Sequence, residues 1–95
     1  MPNIEIKKLD DSRFEVTVHG RTPTTHIVTV PPEYADKLTD GRVLVEQLLK
    51  RSFEFLLERE SNTSILRQFD LPLITHYFPE YERVICGMLK HGMLK

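Results

Sequence analysis

Three short runs near the N-terminus alternate apolar and polar residues with period two, and turn chemistry bounds each of them. Asn3 to Lys8 sets Ile4 and Ile6 on one face and Glu5 and Lys7 on the other. Arg13 to His19 sets Phe14, Val16 and Val18 against Glu15, Thr17 and His19. Thr25 to Val30 sets Val28 and Val30 against Ile27 and Thr29. Asp10-Asp11-Ser12 and Gly20-Arg21-Thr22-Pro23 supply the turns. This pattern predicts a three-stranded antiparallel meander with one apolar face. Such a sheet is stable only with a helix over that face.

Pro31-Pro32 ends the third strand, because proline cannot donate to a ladder. Pro32 also suits the first turn of a short helix, Glu33 to Leu38. Thr39 or Asp40 is then placed to cap a long helix over about residues 42–60. At ~100° per residue, Val45, Leu48, Leu49, Ser52, Phe53, Phe55 and Leu56 fall on one broad arc. Leu44 and Leu57 sit at its edges, and Ser52 near its centre marks a close approach. An arc that wide implies contact on two sides, with the sheet on one and C-terminal helices on the other. Short helices are expected over residues 64–69, 71–78 and 80–88, with Asp70 capping the second. Gly87 and Gly92 predict fraying beyond the third.

The expected fold is therefore α+β and a single domain over residues 1–95: a three-stranded antiparallel meander packed on a long helix, followed by two or three short C-terminal helices. A chain of 95 residues leaves no room for a second core.

Charge excludes several functions. Thirteen Lys and Arg stand against fourteen Asp and Glu, a net charge of −1. The balance is local as well as global: five against seven over residues 1–41, four against four over 42–60, four against three over 61–95. Binding to nucleic acid or to an anionic membrane needs a cationic excess, so neither is expected. No apolar run reaches the roughly 20 residues that span a bilayer. The opening Met1-Pro2-Asn3-Ile4-Glu5 lacks the features of a signal peptide, and the lone Cys86 has no disulfide partner in the chain. A cytoplasmic location is expected.

Few residues are arranged for chemistry. No H-x-x-x-H, C-x-x-C or H-E-x-x-H spacing occurs, so no metal or other cofactor is expected. Cys86 has no His or Lys one helical turn away, and Glu82 would raise its pKa, so it reads as inert. The carboxylate pairs lie at turns and helix ends, where water solvates them. The four glycines are scattered rather than clustered as a phosphate cradle. No enzymatic activity is expected. His26 differs from His19 in parity: it falls on the apolar face, as a polar core residue or beside a small-ligand site.

Residues 65–72, Ile-Leu-Arg-Gln-Phe-Asp-Leu-Pro, followed by Thr75-His76-Tyr77-Phe78-Pro79, resemble part of the helix-turn-helix of tetracycline-repressor-like regulators. The resemblance implies DNA contact, with Arg67 on phosphate and Thr75 and His76 on base edges. Asp70 stands where that family has a turn glycine, and Leu73 and Ile74 stand where polar readers are expected. A second resemblance covers more of the chain. The phrases at residues 25–30, Ser52 to Glu60, Ser64-Ile65-Leu66, Phe69-Asp70-Leu71 and Tyr77 to Glu82 are similar to a group of short uncharacterised prokaryotic proteins. That similarity implies a free-standing bacterial or archaeal protein and carries over no site.

The leading expectation is a non-catalytic protein-interaction or regulatory module with a protein partner, a second copy being one candidate. A third strand at the sheet's edge, with Thr25, Ile27 and Thr29 on its outer face, is the expected interface. DNA binding through residues 64–79 and a small-ligand site at His26 are the alternatives.

Overall fold

Asp10 sets the first hairpin. Its Oδ1 accepts the backbone N–H of Ser12 at 3.0 Å and of Arg13 at 2.8 Å, and its Oδ2 pairs with the Arg13 guanidinium at 2.6 Å. These bonds, that from Ser12 foremost, hold the Asp10 carboxyl below its ordinary value. The computed structural model describes residues 3–41 and 43–93. Strand β1 (Asn3–Lys8) enters this turn and β2 (Arg13–His19) leaves it, antiparallel, with Asn3 opposite His19 and Lys8 opposite Phe14. Strand β3 (Thr24–Thr29) returns along β2 with Arg13 opposite Thr29. Phe14, Val16, Val18, His26, Val28 and Val30 are all buried, as the alternation requires.

The sheet continues past β3. Gln68–Asp70 forms β4, parallel to β3, with Ile27 opposite Gln68 and Thr29 opposite Asp70. The Ile27 N–H donates to the Arg67 carbonyl at 2.8 Å. The sheet is thus mixed and four-stranded, in the order β1-β2-β3-β4. This corrects the expected interface: Ile27 and Thr29 are covered by β4, Thr25 stands just before that ladder, and the outer strands are β1 and β4. A parallel pair needs a long crossover. Residues 30–67 supply it and carry two helices, the second of them packed on the sheet.

The first of them, α1 (Pro32–Thr39), starts on Pro31-Pro32 and stops where Asp40 turns left-handed at φ 58°. Thr39 Oγ1 donates to the Ala35 carbonyl at 2.8 Å and accepts the Gly41 N–H at 3.2 Å. Thr39 and Asp40 therefore close α1 rather than cap the next helix. Helix α2 (Val45–Leu57) follows Leu44 without a side-chain cap and is shorter than residues 42–60; Arg42 lies outside the described residues. Its buried face, Leu48, Leu49, Ser52, Phe53, Phe55 and Leu56, is the expected arc, although Leu44 is 75% exposed.

The expected helix over residues 64–69 does not form. A 3-10 turn (Asn62–Ser64) leads into an extended segment and β4. The expected helix over 71–78 is a 3-10 turn (Leu71–Leu73) running into the one-turn α3 (Ile74–Tyr77). Helix α4 (Tyr81–Met93) passes through Gly87 instead of fraying there. It buries Tyr81, Ile85 and Leu89, and packs on α2 and α1. Ser52 is the close approach: its Oγ donates to the Leu48 carbonyl at 2.7 Å and accepts the Tyr81 hydroxyl at 2.6 Å. Burial of that phenol pushes its pKa up. No helix among the described residues is long and apolar enough to cross a membrane.

Candidate functional site

The segment between α2 and α4 builds an open groove. Leu56 at the end of α2, Ile65, Phe69 in β4 and Ile74 in α3 are its buried floor. Leu66 and Tyr77, 47% and 61% exposed, stand at its rim with Glu60. The cavity volume is about 380 Å³, at the small end of the range for ligand sites. Two aromatic contacts fix its walls. Phe69 packs against Phe53 with ring centres 6.2 Å apart, and Phe78 meets Phe55 edge-on at 5.9 Å.

Arg59 holds the turn that opens this groove. Its guanidinium lies 3.7 Å from the centre of the Phe55 ring. It also donates to the Phe55 carbonyl at 3.1 Å and to Glu80 Oε2 at 3.4 Å. The stacked, paired cation ties the end of α2 to the start of α4. The sequence offers Glu58-Arg59-Glu60 only as a charged helix end, so the part Arg59 plays was not legible there.

His26 is fully buried and has both ring nitrogens bonded. A carbonyl only accepts, so Nδ1 carries the proton and donates to Leu66 at 2.8 Å. Nε2 then accepts the Thr24 hydroxyl at 2.8 Å, and Thr24 Oγ1 accepts from Asn62 Nδ2 at 2.9 Å. Desolvation pushes the imidazole pKa down, with nearby Arg67 adding to it and the Leu66 bond opposing it. His26 is a polar core residue, and the face expected to hold a ligand beside it is closed around the ring. The groove lining does not include it.

The residues expected to contact DNA are not set on two helices. Arg67 sits in extended chain and gives its carbonyl to Ile27. Thr75 is half-buried, and its Oγ1 donates to the Pro72 carbonyl of its own turn at 2.7 Å. His76 is exposed, edge-on to Tyr77 with ring centres 5.5 Å apart. Among the described residues no hydrogen bond or ion pair joins Arg67 to Thr75 or His76. The helix-turn-helix geometry is absent because residues 65–67 are not helical and residues 68–70 pair with β3 as a strand, leaving the single turn of α3.

The groove residues were hidden from the sequence because residues 64–69 read as helix. Ile65 and Leu66 are adjacent and both apolar, so the sequence shows no alternation there to mark an extended segment. Among the described residues no three His, Cys, Asp or Glu side chains are grouped to hold a metal ion. The chain matches no protein-family model, no curated protein and no solved structure.

Proposed function

We propose that this chain is a non-catalytic, cytoplasmic protein-interaction module that seats a short apolar segment of a partner protein in the groove between α2 and α3. The observation that carries this reading is the exposed pair Leu66 and Tyr77 standing over a buried apolar floor. Exposed apolar surface gathered around a concave site marks recognition rather than mere solvation. The lining carries one carboxylate, Glu60, and no cation, so the partner segment joins apolar or aromatic anchors to a Lys or Arg.

Selection of short random peptides on the immobilised chain tests this. Enriched peptides should share a pair of apolar anchors and a basic residue. Leu66→Asp with Tyr77→Ser should weaken their binding at least about tenfold, the loss of about 1.4 kcal/mol that two truncated rim contacts imply. No enrichment, or binding indifferent to both substitutions, would sink the reading.

A further inference from the structure

The sheet has a second outer strand, far from the groove. Strand β1 lies at one edge and β4, which supplies Phe69 to the groove, at the other. The Leu9 N–H donates to the Arg13 carbonyl at 2.9 Å, continuing the register that sets Lys7 opposite Glu15. In an antiparallel ladder, hydrogen-bonded pairs alternate with non-bonded ones. Odd-numbered residues of β1 therefore bond to β2. The N–H and C=O groups of Ile4, Ile6 and Lys8 face away from β2, and no strand of the described residues pairs with them.

We infer that β1 pairs antiparallel with β1 of a second copy, Ile6 opposite Ile6, to make a continuous eight-stranded sheet. The charges on its polar face select this register. With Ile6 on the two-fold axis, Glu5 of each copy stands opposite Lys7 of the other, twice per dimer. These two positions are non-bonded pairs, where side chains approach most closely. Sliding by one pair in one direction sets Glu5 against Glu5, and in the other Lys7 against Lys7; both are repulsive. A slide by a single residue would turn Ile4 and Ile6 to the wrong face. Within each chain Lys7 already faces Glu15 and Glu5 already pairs with His19. The interface thus extends an alternating row, Glu15, Lys7, then Glu5 of the second copy. The pairing is self-complementary and closes on itself, as a two-fold contact must. It goes beyond the groove reading and leaves the groove open.

Sedimentation equilibrium of the full chain across a wide concentration range tests it. The expected result is a reversible dimer of twice the 11.1 kDa chain mass. Glu5→Lys and Lys7→Glu each raise the dimer Kd about tenfold, and the two together restore it. Lys8→Pro removes an outward N–H at an exposed position and should abolish the dimer while far-UV circular dichroism stays unchanged. A chain that stays monomeric at millimolar concentration overturns the inference. So does a dimer indifferent to all three changes. Losses from both single swaps without restoration in the double variant overturn the register.

Discussion

Asn62, Thr24 and His26 form a chain of hydrogen bonds that ends on the Leu66 carbonyl, and burial favours the neutral imidazole within it. The consequence is a sign. Burial holds the His26 pKa in the folded state below the ordinary value of 6.5, near which the unfolded chain takes up its proton. The unfolded state therefore binds more protons below that pH, and stability falls as pH drops through 6.5 toward the folded-state value. One proton gives a slope of at most about 1.4 kcal/mol per pH unit. Urea denaturation at pH 7.5 and pH 5.5 reads this directly. His26→Leu should destabilise the fold at pH 7.5 by about 1–3 kcal/mol, because Thr24 and Leu66 lose their partner. The same variant should lose less stability than the native chain between the two pH values. An equal loss would show that His26 titrates normally.

At the scale of elements, what was legible depended on how locally each element is decided. The meander was legible because six or seven residues of alternation per strand outweigh any competing period, and Asp10 signals its turn. The buried arc of α2 was legible for the same reason at a period of 3.6. Strand β4 was not. It has three residues and one buried side chain, Phe69, and its pairing is fixed by β3, some 40 positions earlier. Ile65, Leu66 and Phe69 also sit at spacings that a helix would share. For the site, the inward parity of His26 was legible, but its partner Leu66 came only with the crossover that brings the two together. Covered β3 and outer β1 differ in what protects their amides. In dilute solution the Ile27 amide, bonded to Arg67, should exchange with solvent at least about 100-fold more slowly than the Ile6 amide, which faces away from β2. Amide exchange by NMR checks this, and comparable rates would mean that β4 does not hold.

For the molecule as a whole, the two surfaces are set apart by the width of the sheet. The groove is built on β4 and the end of α2, while the strand proposed to pair with itself, β1, lies at the other edge. A dimer through β1 therefore carries two complete grooves, one per chain, with no residue of one copy completing the site of the other. Such an arrangement suits a partner that offers two copies of the same segment. The second binding step then becomes intramolecular, and a weak single contact gains avidity set by the spacing of the grooves. Titration calorimetry with one selected peptide should give one site per chain both above and below the dimer Kd, with peptide affinity unchanged within about twofold, since no coupling free energy links independent sites. The same peptide in tandem, joined by a flexible Gly/Ser linker long enough to span the sheet, should bind the native dimer at least about 100-fold more tightly than it binds Lys8→Pro. A ratio near unity would mean that the grooves cannot be engaged together, and a stoichiometry of one peptide per two chains would place the site between the copies instead.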